Sequence, residues 1–184
     1  MRDLHADLPA VIALQPFEIN DQSTSVSFSD IQAIEYASKG GEGSPFYKSG
    51  YIIIPRVSSY YPQEISLLPI YLEIYNTTSL SESECGLRQV IYDEDNGVEL
   101  SELTLFSRHQ TSDVIPIIRK IDISSLPTGS YRLNYTLLSR DLKELSQQNY
   151  FFERSNDIQA DINPETIILD PSFQASITDD SVSY

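Results

Sequence analysis

Residues 67–76 carry the clearest alternation of apolar and polar side chains in the sequence. Aliphatic residues recur at every second position, and positions 71, 73 and 75 between them hold tyrosine, glutamate and tyrosine. A period of two is typical of a β-strand with one buried and one exposed face. We therefore predict a long strand whose aliphatic side needs partner strands to cover it. That side comprises Leu68, Ile70, Leu72 and Ile74.

Similar alternation recurs along the chain, and it favours strands over helices throughout. Residues 114–123 place isoleucines on one face, and Pro116 predicts either an edge position or an irregularity near the start of this strand, because proline cannot donate to a ladder. Residues 131–137 alternate strictly between apolar and polar side chains. Short strands separated by turn-forming residues, with no useful helical period, predict an all-β fold. We expect an antiparallel immunoglobulin- or fibronectin-like β-sandwich of about eight strands.

Turn-forming residues mark the connections between these strands. Residues 48–50, Lys-Ser-Gly, predict a tight turn, and Asn96-Gly97 between two apolar runs predicts a hairpin in which both residues adopt positive φ. In the second arm, the alternation of inward-pointing apolar residues slips by one position between Leu100 and Leu103. This shift predicts a β-bulge near Ser101-Glu102.

Residues 126–131, Leu-Pro-Thr-Gly-Ser-Tyr, lead directly into an alternating strand. Immunoglobulin-like sandwiches have a tyrosine corner at such a place, where the hydroxyl bonds back to the backbone of the corner. Tyr131 is the candidate for this structural role.

The chain divides by composition into three parts. We expect residues 1–20 to form a lead-in segment, residues 21–154 the β-sandwich domain, and residues 155–184 an extended linker toward a following domain. The charged start has no apolar signal core, and no apolar run approaches the length of a membrane helix. The chain is therefore expected to be either cytosolic or a piece of a longer exported protein.

The formal net charge of −15 disfavours nucleic acid and anionic membrane surfaces as partners. The sequence contains one cysteine, Cys85, so no internal disulfide can form. An acidic loop at residues 93–97 does not fit a calcium loop, because the glycine and glutamate positions fail. Cys85 and His109 match no local motif of a cysteine enzyme. The sequence therefore predicts no metal, no cofactor and no catalysis.

Two sets of tyrosines raise questions of binding. Glu73 shares the polar side of its strand with two tyrosines, so its carboxylate could accept their hydroxyls or pair with Arg56, Arg88 or Arg132. A second set could serve the core or form an exposed patch for sugar rings or a protein partner. Its members are Tyr47, Tyr51, Tyr60 and Tyr61.

Five stretches together resemble the β-sandwich region that precedes the GWxTD domain in cell-envelope proteins of Bacteroidota. Their order and spacing agree over about residues 26–156. The stretches are residues 28–31, 46–50 with 54–55 just after, 71–76, 126–131 and 151–156. The chain has no tryptophan, so the Gly-Trp-x-Thr-Asp motif itself is absent. The resemblance implies an exported, periplasmic or envelope-associated protein, in which residues 172–180 begin the connection to the next domain.

Together these observations predict a non-catalytic β-sandwich module of a larger exported or envelope-associated protein. It would act as a spacer or as a protein-interaction domain, with a partner protein or a neighbouring domain of the same chain on its surface. The alternative is a carbohydrate-binding module that uses the tyrosine patch. Neither reading requires this segment to insert into a membrane.

Overall fold

The computed structural model describes residues 25–158, and these residues form two packed β-sheets. Twelve strands are present, and four of them are only two residues long, so eight strands have five residues or more. This confirms the predicted β-sandwich. In this part of the chain no helix has the length and apolar character needed to cross a membrane. The lead-in at residues 1–20, the linker beyond residue 158 and the connection at 172–180 lie outside the described residues.

The first sheet is built around the strand that the alternation predicted. Its strands are β1 (Ser27–Phe28), β2 (Gln32–Lys39), β3 (Tyr47–Lys48), β4 (Tyr51–Pro55), β6 (Leu67–Tyr75) and β10 (Val114–Asp122). Strand β6 pairs along its whole length with β10, and its other edge is shared by β1 and the start of β2. Among residues 25–158, strand β10 pairs only with β6, as expected for the edge position that Pro116 suggested.

The second sheet contains the strand that follows the predicted tyrosine corner. Its strands are β5 (Tyr60–Tyr61), β7 (Glu84–Asp93), β8 (Val98–Glu99), β9 (Leu105–Gln110), β11 (Gly129–Leu138) and β12 (Glu144–Arg154). Strand β11 lies between β12 and β7. The pairing of β5 with β12 is parallel, which departs from the all-antiparallel expectation.

The core lies between the two sheets because their aliphatic faces turn toward each other. Ile70, Leu72 and Ile74 of β6 and Leu133 and Leu137 of β11 have no exposed surface. They belong to one continuous apolar cluster. The alternation read from the sequence therefore assigns the buried face of both central strands correctly.

The turn between β3 and β4 is the two-residue hairpin that the sequence predicted. Ser49 and Gly50 have φ of 44° and 90°, and the flanking residues Lys48 and Tyr51 are paired. The hairpin near Asn96 differs from the prediction. Asp93 pairs with Val98, so the loop has four residues, and within it only Gly97 adopts positive φ. The Asp93 carboxylate accepts the backbone N–H groups of residues 95 and 96, which stabilises this longer loop.

Two further expectations need correction. The predicted bulge near Ser101 is instead a 3-10 turn, Ser101–Leu103, which separates β8 from β9. The folded unit also continues past residue 154. Asn156 is buried, and its side-chain amide donates to the carbonyl oxygens of Ser124 and Leu126 over 2.8 and 2.9 Å. Sequence reading missed this role because an asparagine after the last strand looks like linker.

Candidate functional site

Cys85 and His109 lie directly opposite each other in the β7–β9 pair, although no sequence motif joins them. The Cys85 thiol faces the backbone carbonyl of His109 at 3.7 Å, and the imidazole Nε2 contacts the Ser107 hydroxyl at 3.0 Å. Burial raises the pKa of the Cys85 thiol, whereas burial and the charge of Arg119 lower the pKa of His109. A buried thiol with a raised pKa is a poor nucleophile, so this pair does not form an activated dyad.

The four tyrosines proposed as a surface patch do not share a surface. Tyr61 is fully buried, so its assignment to an exposed patch is wrong. Successive side chains of a strand point to opposite faces, and β5 therefore exposes Tyr60 while it buries Tyr61. The same rule separates Tyr47 from Tyr51, because Tyr47 pairs with Ile52, the residue next to Tyr51 in β4. Tyr51 packs against the small apolar cluster that includes Tyr71.

Tyr131 occupies the corner before β11, where its side chain is buried. Its hydroxyl donates to the carbonyl oxygen of Pro127, four residues earlier, over 3.0 Å. Burial, followed by the nearby carboxylates of Asp93 and Asp95, raises the pKa of Tyr131 to about 12. The hydroxyl therefore stays protonated and serves as a hydrogen-bond donor.

Tyr131→Phe is expected to lower the free energy of unfolding by about 1 kcal/mol, the usual net contribution of one intramolecular hydrogen bond. Urea unfolding of the two proteins measures the difference. Tyr92→Phe is a useful control, because the Tyr92 ring is stacked under the Arg132 guanidinium and the substitution retains that ring. An unchanged midpoint for Tyr131→Phe would contradict the structural role of this corner.

The polar side of β6 carries the most connected cluster of side chains in the first sheet. The Glu73 carboxylate accepts hydrogen bonds from the hydroxyls of Tyr71 and Tyr75, one on each carboxylate oxygen. The Ser49 hydroxyl in the β3–β4 turn donates to the same oxygen as Tyr71. The sequence left two kinds of partner open for Glu73, the neighbouring tyrosines and an arginine. In the structure the carboxylate of Glu73 contacts the tyrosines. Arg56, Arg88 and Arg132 instead pair with Glu35, Glu99 and Glu94.

The ionisation of Glu73 follows from these contacts. Burial by itself would raise the pKa, but three hydroxyl donors and the nearby Lys48 ammonium outweigh burial and lower the pKa of Glu73 below its ordinary value. Burial, followed by the hydrogen bond to Glu73, raises the pKa of both Tyr71 and Tyr75. The cluster therefore consists of a carboxylate held ionised by neutral hydroxyls. Such a carboxylate is a poor general acid, because it does not keep its proton near neutral pH.

Glu73 should make the fold more sensitive to acid. Because its folded-state pKa is lowered, the ionised carboxylate stabilises the fold above its ordinary pKa of 4.5, and this stabilisation is lost as the pH falls through the folded-state value. Glu73→Gln should remove that part of the pH dependence. Urea midpoints measured between about pH 2.5 and 6 test this expectation. An equal change of the urea midpoint with pH in wild-type protein and Glu73→Gln would contradict it.

A surface cavity of about 550 Å³ lies beside this cluster, where the chain leaves the edge of β6 between β1 and β2. Residues 29–33 form one wall, and the polar side of β6 forms another. The Lys48 ammonium and the Arg56 guanidinium line the cavity as well. Its wall also includes Glu73 and the aromatic residues Tyr71, Tyr75 and Tyr150.

Arg56 is the most unusual member of the cavity wall. Its guanidinium stacks over the Tyr61 ring at 4.9 Å and donates to the carbonyl oxygen of Tyr60 over 3.0 Å. Its carboxylate partner Glu35 is 3.9 Å away and is itself 59% exposed. The buried Nε of Arg56 has no hydrogen-bond partner. The sequence indicated no role for Arg56 other than that of a partner for Glu73.

No group of three His, Cys, Asp or Glu side chains in residues 25–158 is arranged to hold a metal ion.

The sequence matches no family model and no curated protein. Similar solved structures include a β-glucuronidase of Bacteroides uniformis, at 18% identity and a TM-score of 0.37, covering 69% of this chain and 14% of that one. Another is the β-glucuronidase of Bifidobacterium dentium complexed with coumarin-3-O-glucuronide, at 9% identity and a TM-score of 0.36, covering 71% of this chain and 18% of that one. This chain thus spans less than a fifth of either enzyme, and similarity at this level does not extend their activity to it.

Proposed function

We propose that this β-sandwich is a non-catalytic module of a larger exported or envelope-associated protein and that it acts as a protein-interaction domain. The envelope location follows from the resemblance to the region before the GWxTD domain. The non-catalytic role is supported by the state of the reactive groups. The Cys85 thiol is buried with a raised pKa, and Glu73 is engaged by three hydroxyls.

The observation that carries the interaction role is an apolar face of the first sheet that remains open to solvent. Tyr36 lies opposite Ile54, and Tyr47 lies opposite Ile52. Opposed residues in an antiparallel pair point to the same side, so these four side chains share what we call the open face. Tyr36 is 55% exposed and Ile54 is 37% exposed. Apolar side chains grouped in this way mark protein-binding surfaces.

The charge of the chain suggests the chemistry of the partner. The exposed carboxylate of Glu35 adjoins Tyr36, and the whole chain carries a net charge of −15. A partner protein with an apolar patch and a basic rim would complement both features. Its binding should weaken as the salt concentration rises.

Capture experiments with the full chain test this role. Wild-type protein should capture a partner from the envelope fraction of its source cells, and the double variant Tyr36→Ser, Ile54→Ser should lose that partner. Val98→Ser is a matched control, because Val98 is also exposed but lies in the second sheet. Equal capture by all three proteins, or capture by none, would contradict the interaction role and favour the spacer role.

A further inference from the structure

We propose that the cavity beside the break between β1 and β2 is a binding site for an acidic sugar, with Arg56 and Lys48 holding its carboxylate. The site is separate from the open face. Lys48 pairs with Tyr51, which alternates with Ile52 and Ile54, so Lys48 lies on the opposite side of β3 and β4 from the open face. The inference therefore does not depend on a protein partner.

The size of the cavity fits a small ligand. Its volume of about 550 Å³ lies within the range of about 300–1,000 Å³ that is usual for small-molecule sites. The cavity lies between the end of β1 at Phe28 and the start of β2 at Gln32, and Ser29 in this stretch still exchanges hydrogen bonds with the backbone of Glu73. The Asp30 carboxylate is held there by the Gln148 amide over 3.1 Å.

Arg56 supplies the strongest reason to expect an anion. Its side chain is only 18% exposed, and its carboxylate partner Glu35 is 3.9 Å away. A guanidinium removed from water favours a carboxylate, which can accept two parallel hydrogen bonds from it.

Lys48 brings a second positive charge to the same cavity. Its ammonium donates to the side-chain oxygen of Gln32 over 3.3 Å and lies 5.8 Å from the centre of the Tyr71 ring. Two carboxylates, Glu73 and Asp30, line the cavity as well, and three hydroxyl donors engage the Glu73 oxygens. The carboxylate of a ligand would therefore have to lie beside Lys48 and Arg56 and away from these two carboxylates.

The rest of the lining fits a ring that carries hydroxyl groups. Tyr71, Tyr75 and Tyr150 supply aromatic surface, and the side chains of Gln32, Asp30 and Ser59 supply donors and acceptors around it. Sugar rings combine apolar C–H faces with hydroxyl edges and match such a mixture. An aliphatic carboxylic acid would use the cations but leave the polar groups without partners.

Titration of the full chain with D-galacturonate, D-galactose and acetate, followed by two-dimensional amide NMR, tests the proposal. Galacturonate should bind saturably and shift the amide signals of residues 29–33 and 71–75. Galactose and acetate should each bind at least about tenfold more weakly, because each lacks one half of the recognised chemistry. Equal affinity for galactose, equal affinity for acetate, or no saturable shift with galacturonate would overturn the proposal.

Substitutions distinguish binding of galacturonate in the cavity from a nonspecific attraction to positive charge. Lys48→Gln should weaken galacturonate binding about tenfold, and it should preserve the fold because Lys48 is exposed. Arg56→Gln should weaken it at least as much, and its amide spectrum would show whether loss of the Tyr61 contact has unfolded the protein. Arg108→Gln is the matched control, since Arg108 lines a different cavity. Equal weakening by Lys48→Gln and Arg108→Gln would show a nonspecific charge effect and overturn the assignment.

Discussion

Leu72→Ala is expected to lower the free energy of unfolding by about 3 kcal/mol, as large-to-small substitutions in a closed core do. Leu72 lies in the middle of β6, has no exposed surface and belongs to the apolar cluster between the sheets. That cluster contains residues of both sheets, so the surrounding structure should relax only partly into the space that the substitution leaves. The measured loss should include both the lost burial and the remaining cavity.

Leu67→Ala is the matched control for this substitution. Leu67 begins the same strand and undergoes the same chemical change, but it is 43% exposed. Its substitution should cost less than about 1 kcal/mol, as is usual away from the core. Urea unfolding of the three proteins under the same conditions gives both differences. A similar cost at the two positions would contradict the assignment of the buried face of β6.

Arg154→Ala is expected to cost about 3 kcal/mol, because it removes a buried charged donor from backbone carbonyl groups and leaves a cavity in its place. Arg154 ends β12 and is 2% exposed. Its Nη1 donates to the carbonyl oxygens of Pro62 and Ile65 over 2.7 and 2.6 Å and contacts that of Tyr61 at 3.4 Å. One guanidinium thus fixes the loop between β5 and β6 against the last strand.

Arg140→Ala provides the comparison, since it removes the same charge from an exposed turn. We expect it to change stability by no more than about 0.5 kcal/mol. Hydrogen exchange should locate the effect of Arg154→Ala, with faster exchange in residues 60–66 than in the centre of β11. A loss as small as that of Arg140→Ala would show that water can replace the guanidinium at these carbonyls.

The sequence was sufficient to predict the parts of the fold that repeat a simple period. The alternation in β6 and β11 identified the core faces, and the residues of the β3–β4 turn identified a hairpin. Short elements were harder to predict. Strand β5 has two residues, which is too few to establish a phase, so the burial of Tyr61 could not be distinguished from the exposure of Tyr60.

Contacts of polar residues with partners far away in the sequence were also difficult to predict. Arginine is usually exposed, so nothing in the sequence distinguished buried Arg154 from the other arginines. The contact between Ser49 and Glu73 spans 24 residues, and the cavity beside it depends on how a turn folds against a distant strand. The expectation that Glu73 would meet its neighbouring tyrosines was confirmed because all three lie on one side of one strand.

The central claim is that β6 and β11 belong to different sheets and bury their aliphatic sides against one core. Methyl–methyl nuclear Overhauser effects in selectively labelled protein test it most directly. We predict cross-peaks between the methyl groups of residues 68–74 and those of Leu133 or Leu137, which belong to the same apolar cluster. Cross-peaks confined to strands of the same sheet would contradict the sandwich.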